Sequence, residues 1–297
     1  MKTSVGTLLT ISIITVSFAA IFVKWSDAPA TISSMYRMYF ACILLLPIIW
    51  IKRREIAKLS KNDWLFLALS GFFLALHFAL WFGSLKLTTV ASSTIILALQ
   101  PIVALVGGFL IYKERTTLSS LVTICISIIG VVLIGWGDVQ FNDASVIIGD
   151  LLSFLSVIAV VCYLLIGQAK VKRISHWIYS FCVFLFAGLF LHLYNFTAGI
   201  SITRYEASEW GIFLLLAIFP TIAHMIFNHL LNYVNTTTIS MSILGEPVGA
   251  TILAVLLLGE RLKWLQMVGG LFVLVGVFLF LRAQSKAKSL QRTAEKL

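Results

Sequence analysis

The chain has 297 residues, of which 60% are hydrophobic and only 11% charged, with a mean hydropathy of +1.02. A soluble domain carries about 25% charged residues to solvate its surface, so this composition excludes an ordinary soluble enzyme, a disordered chain, a collagen-like fibre and a disulfide-stapled secreted module. Lys and Arg outnumber Asp and Glu by 22 to 12, an excess that in so apolar a chain reads as membrane topology and not as nucleic-acid affinity.

Apolar runs recur at about 17 to 25 residues, the length a helix needs to cross about 30 Å of hydrocarbon. Ten spans are predicted: Val5–Val23, Thr31–Ile51, Trp64–Phe82, Thr89–Tyr112, Leu118–Trp136, Val146–Ile166, Trp177–Phe196, Trp210–Leu231, Thr236–Leu258 and Leu265–Leu281. The fold class is therefore all-α integral membrane. The first run, followed by Ala28-Pro29-Ala30, has the parts of a cleavable signal peptide. It is longer than the roughly 7 to 15 residues of a signal core and is expected to remain as a span. Cys42, Cys125, Cys162 and Cys182 all lie within apolar runs, where a thiol behaves as a small hydrophobe; they point to no metal site.

Orientation follows from the loop cations. With a cytoplasmic N-terminus, sixteen Lys and Arg fall inside (Lys2; Lys52, Arg53, Arg54, Lys58, Lys61; Lys113, Arg115; Lys170, Lys172, Arg173; and Arg282 with four in the tail). Five fall outside: Lys24, Lys86, Arg204, Arg261 and Lys263. Ten spans then place both termini in the cytoplasm.

An internal repeat organises the chain. Under a shift of 146, Pro101 meets Pro247, Ala104 meets Ala250, Leu110 meets Leu256, Glu114-Arg115 meets Glu260-Arg261 and Gly130-Val131 meets Gly276-Val277. The predicted units are two five-helix repeats, 1–140 and 146–282, followed by a basic cytoplasmic tail, 283–297. Because five is odd, the second repeat enters the membrane from the opposite face, and inverted pairs of this kind are typical of secondary transporters with a site between the halves.

Several stretches carry a family resemblance: Ser84-Leu85-Lys86-Leu87-Thr88, Leu97-Ala98-Leu99-Gln100-Pro101, Tyr112-Lys113-Glu114-Arg115 and Gly130-Val131-Val132 in the first half, and Leu244-Gly245-Glu246-Pro247, Leu258-Gly259-Glu260-Arg261 and Gly276-Val277 in the second. Over nearly its whole length the chain resembles the EamA-type family of the drug/metabolite transporter superfamily. The resemblance implies a ten-helix transporter of the plasma (inner) membrane with both ends cytoplasmic. It also implies export of small metabolites such as amino acids or related amphipathic compounds by alternating access, with no cofactor. Substrate identity and oligomeric state are not readable from these motifs.

Polar residues at bilayer depth supply the candidate site. Glu246 lies about ten residues into its span, where a charged side chain costs about 2.5–3.5 kcal/mol on insertion scales; it is the candidate proton-coupling group, and the alternative is a protonated carboxyl bonded to a carbonyl freed by Pro247. That family often carries Glu-Pro here. Gln100 is its neutral counterpart under the repeat. His77 and Trp81, and likewise His224 and Asn228, are spaced to share one helix face. Arg37 either holds a substrate carboxylate through paired hydrogen bonds or snorkels to the interface. Tyr163 offers an aromatic wall or hydroxyl. The candidate substrate-binding set is thus Arg37, His77, Trp81, Gln100, Tyr163, His224 and Asn228. Asp150 is expected at a helix start as a dipole partner, and the Glu-Arg pairs at 114–115 and 260–261 as interfacial salt bridges or helix termini. A channel and an intramembrane lipid-modifying enzyme are the rival classes. No paired Asp motif, HExxH, GxSxG or phosphate loop supports the latter.

Overall fold

The computed structural model describes residues 5–88, 90–114, 117–136, 144–259 and 264–294. Among them the secondary structure is entirely helical. The first six helices are α1 (Val5–Trp25), α2 (Ala30–Ile56), α3 (Lys61–Leu87), α4 (Val90–Leu97), α5 (Gln100–Tyr112) and α6 (Leu118–Trp136). The last six are α7 (Ala144–Lys170), α8 (His176–Thr197), α9 (Ala207–Leu230), α10 (Thr236–Ile243), α11 (Glu246–Leu258) and α12 (Trp264–Ala294). Seven stretches are long and apolar enough to cross a membrane: α1, α2, α3, α7, α8, α9 and the combined run Thr236–Leu257. Within α5, α6 and α12, Gln100–Tyr112, Leu118–Gly130 and Met267–Phe280 are shorter apolar helices.

Polarity runs inside out relative to a soluble protein. Trp50, Ile51, Leu118, Leu256 and Trp264 lie on the surface, whereas Ser12, Ser34, Arg37, Gln100, Asn228 and Glu246 are buried. That is the arrangement expected where hydrocarbon is the solvent and ionisable groups turn toward the bundle interior. The chain is a multi-pass membrane protein.

Two expected spans are broken. The fourth divides into α4 and α5 and the ninth into α10 and α11, with Pro101 and Pro247 in the first turn of the resumed helix. Proline has no N–H, so Pro101 cannot bond the carbonyl of Leu97, nor Pro247 that of Ile243. The chain tightens instead, with Leu99 N–H bonding Ile96 O at 3.0 Å and Gly245 N–H bonding Ser242 O at 3.0 Å. Leu99 and Gly245, 146 residues apart, have nearly the same backbone angles (φ −74°, ψ −10° and φ −71°, ψ −19°). The two C-termini match as well: α5 ends at Lys113 and α11 at Gly259, both left-handed with φ of 56° and 70°. Only Gly adopts that conformation without steric cost.

The basic tail continues α12 as far as Ala294, its run of good helix formers extending a helix already nucleated by the apolar segment. One further expectation changes. Asp150 sits in the second turn of α7 and not at its start, because α7 begins at Ala144, so it lies beyond the first turn where a helix dipole acts most strongly. Arg115, Glu260 and Arg261 fall outside the described residues, as do Lys2 and Lys263.

The packing is self-complementary under exchange of the two sets of six. α1 packs on α9 as α7 packs on α3, α1 on α11 as α7 on α5, and α4 on α11 as α10 on α5; α2 pairs with α8 and α6 with α12. At the α6–α12 crossing, a Cβ on Gly130 would lie 2.5 Å from Gly269 O and one on Gly276 would meet Ser127. Small residues at these two equivalent positions let the backbones touch, the usual solution where no hydrophobic force drives helices together in lipid.

Candidate functional site

The two helix breaks meet at a small interior cavity of about 30 Å³, room for one or two waters. Arg37 from α2, His77 and Trp81 from α3, Gln100 from α5, His224 from α9 and Glu246 from α11 all line it. Six of the eight candidate residues, scattered over 210 positions of sequence, therefore converge on one space. Tyr163 and Asn228 stand one layer behind: Tyr163 donates its hydroxyl to Asn228 Oδ1 at 2.6 Å, and Asn228 Nδ2 donates to Ser180 Oγ at 2.9 Å. This chain of bonds uses the polar atoms of both residues to fix α7, α8 and α9 together. The Tyr163 ring nonetheless lies 6.0 Å from the His224 ring.

Arg37 does not snorkel. It is 1% exposed, and its guanidinium carbon lies 3.8 Å from the centre of the Phe78 ring, a cation–π contact. Trp81 is 2% exposed and stacks on His77 with ring centres 5.9 Å apart. His77 donates Nδ1–H to the Ser156 carbonyl at 3.1 Å, an assignment that leaves Nε2 as the ring's acceptor. Gln100 donates Nε2–H to Ser240 Oγ at 3.2 Å, joining α5 to α10.

The remaining polar atoms are unsatisfied. Nε, Nη1 and Nη2 of Arg37, Nε1 of Trp81, Nδ1 of His224 and Oε1 of Glu246 have no hydrogen-bond partner, six of the twelve such buried atoms among the described residues. Arg37 and Glu246 form no ion pair, so their nitrogens and oxygens are more than 4.0 Å apart. Buried polar groups in native proteins are nearly always paired. Half of the unpaired buried atoms among the described residues gather at this one cavity.

Two sets of polar contacts join the helices on either side of the breaks. At one end Glu114, just past α5, accepts from Gln168 Nε2 of α7 at 2.6 Å and from Asn235 Nδ2 at 2.8 Å, while Gln168 Oε1 accepts the Thr236 backbone N–H at 2.6 Å. At the other, Lys24 at the end of α1 donates to Thr88 O at 3.1 Å, and Lys86 of α3 donates to the carbonyls of Val23, at 3.2 Å, and Ser26. Outside these contacts sit two buried carboxylates that sequence reading missed, Asp63 in the first turn of α3 and Glu209 in the first turn of α9. Asp63 accepts from Ser60 and pairs with Lys170 at 3.3 Å and Arg173 at 3.2 Å; Glu209 accepts from Ser26 Oγ and Asp27 N–H, each at 2.6 Å. They are 146 residues apart, and each ties the third helix of one set to the end of the first helix of the other.

A second, larger groove of about 340 Å³ lies between α2, α3, α7 and α8, lined by residues such as Phe72, Leu76, Phe190 and Tyr194. Its apolar lining, partly exposed on the outer surface, suits lipid contact and offers no chemistry.

The profile of the EamA-like transporter family matches residues 4–136 and again residues 147–282. The chain belongs to the EamA-like transporter family. It is a transmembrane transporter, with the small-molecule substrate and bilayer environment that membership implies. Curated relatives of this EamA-family chain include an uncharacterized transporter of Clostridium kluyveri, 25% identical over 85% of this chain and 83% of that protein, and the uncharacterized transporter YyaM of Bacillus subtilis, 23% identical over 80% and 79%. A crystal structure of a protein 15% identical to it aligns with a TM-score of 0.75 over 95% of this chain and 97% of its own, which shows a shared fold.

Proposed function

We propose that this protein is a secondary transporter that exports small metabolites, such as amino acids or related amphipathic compounds, by alternating access, with Glu246 coupling movement to a proton. Arg37, His77, Trp81, Gln100, His224 and Glu246 form the binding cavity, and Tyr163 and Asn228 support its wall. The observation that carries this reading is the buried cavity at two helix breaks, rich in unpaired polar atoms. Interrupted helices at the bilayer midplane are how many secondary transporters build substrate sites.

Ten spans arranged as inverted repeats, 1–140 and 146–282, supply the switch. The exchange-symmetric packing and the doubled family match support this arrangement. One moving body comprises α3, α4, α5 and α7, braced by Asp63; the other comprises α1, α9, α10 and α11, braced by Glu209. The bonds at Glu114–Asn235 and Lys24–Thr88 cross between bodies and act as alternate gates. By the loop-charge rule the Glu114 end is cytoplasmic, as are both termini and the 283–297 tail, in the plasma (inner) membrane.

The test is a single cysteine replacing the cavity-lining Leu97 in a cysteine-free background. It is expected to react with an impermeant thiol reagent from both sides of the membrane, with a transported metabolite protecting it. Reaction from one side only, however long the exposure, overturns alternating access.

A further inference from the structure

The unpaired atoms of the cavity are unequal in kind. Among the described residues, Arg37 contributes three unpaired nitrogens and Trp81 one, all donors; Glu246 Oε1 and the ring acceptor His77 Nε2 stand on the other side, and His224 Nδ1 serves as either. A group that satisfies Arg37 must be an acceptor, and planar guanidinium suits a carboxylate through two parallel bonds. Among the described residues no lysine and no second arginine lines the cavity, so one monoanion balances it and a dianionic phosphate does not.

Charge balance then involves Glu246. Arg37 is the one fixed cation. With Glu246 ionised the empty cavity is neutral; a substrate carboxylate whose molecule carries no cation leaves two anions against one cation among buried side chains. Coulomb repulsion at low dielectric makes that state unfavourable. If a proton enters with the substrate and converts Glu246 from carboxylate to carboxylic acid, the cavity stays neutral, and the acid's new O–H is a donor to a second substrate atom.

We propose that the cavity binds carboxylates that carry no cationic group together with one proton, Arg37 and Trp81 taking the carboxylate while Glu246 takes the proton. This deepens the transporter reading, rests on it and narrows its substrates to these acids; substrate and proton travel the same way, so the outward substrate gradient drives export. It assigns the substrate's anionic group and the stoichiometry of one proton per carboxylate, which that reading leaves open. The charged or titratable groups sharing the cavity with Glu246 are Arg37, His77 and His224, with the Tyr163 phenol behind them. The neighbouring α1, α4, α5 and α10 present Val16, Leu97, Gln100 and Ile243, none of which titrates, and α12 carries no titratable residue from Trp264 to Leu281. The two histidines are therefore the competing proton acceptors that the experiment must separate.

The full chain in lipid nanodiscs is titrated calorimetrically with phenylacetate and indole-3-acetate, and with their neutral amides. Repeating each titration in buffers of different ionisation enthalpy counts the protons bound. The carboxylates are expected to bind with uptake approaching one proton per molecule where Glu246 begins ionised, and to weaken about tenfold per pH unit above its titration. The amides are expected to bind about ten- to a hundredfold more weakly, the difference made by hydrogen bonds to a charged group. Glu246→Gln should bind the carboxylates without proton uptake and without that pH dependence, and Arg37→Met should bind acid and amide alike. Should Arg37→Met fail to fold, the wild-type proton count and Glu246→Gln still decide. Equal affinity for acid and amide, uptake that persists in Glu246→Gln, or no binding of either carboxylate at millimolar concentration overturns the proposal. If it falls while the Leu97 cysteine is still reached from both sides, the transporter reading stands; if that cysteine is reached from one side only, the transporter reading itself has failed.

Discussion

Replacing Glu114 with alanine tests the gate assignment. The carboxylate makes two bonds, but the one to Gln168 lies within a single moving body, and only the 2.8 Å bond from Asn235 crosses to the other. Gln168 is left holding the Thr236 N–H, so the end is weakened and not abolished. One hydrogen bond to a charged acceptor contributes about 1.5–3 kcal/mol. Its loss raises the ratio of inward-open to closed molecules about ten- to a hundredfold. With the open form a minority, the reaction rate of a Leu97→Cys probe scales with that ratio. In inverted vesicles, where the cytoplasmic face is exposed, the rate should rise by that factor in Glu114→Ala, and in right-side-out vesicles it should fall or stay level. Equal acceleration from both faces, or no change from either, would refute the assignment of this bond to a one-sided gate.

In proteoliposomes, Glu246→Gln keeps the side chain's shape but cannot titrate, so it should lose accumulation driven by a pH gradient while retaining downhill exchange; unchanged accumulation would move the coupling role to His77 or His224. Gly130→Leu should separate α6 from α12 and sharply lower the yield of folded protein measured by size-exclusion chromatography, because the new Cβ meets backbone at 2.5 Å. Gly211→Ala, with nothing within 4 Å of its Cβ, should be neutral or stabilising by up to about 1 kcal/mol. Single cysteines at Lys58 and Lys172 should be shielded from an impermeant reagent in intact cells and one at Ser201 labelled; the reverse pattern would invert the topology drawn from loop charge.

The seven membrane-capable helices were legible because hydrocarbon imposes a length and an apolar composition that little else in a sequence imitates. The repeat was legible through identities such as Pro101 with Pro247. Its consequence, two helices that stop and restart, follows from the missing proline N–H but was not drawn in advance. Cavity residues were found where charge or polarity at bilayer depth is costly enough to demand a reason, as at Arg37, His77 and Glu246. Phe78, which lies under Arg37, gave no such signal, since one phenylalanine in an apolar helix resembles any other. The Asp63 and Glu209 pair was missed because the shift was read for identical residues; reading it for like charges would have found both. Tyr163 and Asn228 carry the right chemistry on the right helices, but their mutual bond is a matter of rotamers that spacing alone does not fix.

Solute counterflow through purified protein in liposomes tests most directly whether this cavity belongs to a carrier. Vesicles loaded with a candidate metabolite, a carboxylate first, are diluted into trace labelled compound without a pH or voltage gradient. The account predicts transient accumulation of label, saturable in substrate, that is weakened in Trp81→Ala while that variant remains folded and monodisperse. Conductance that never saturates would indicate a channel, and chemical conversion of the label an enzyme; either result would contradict the account.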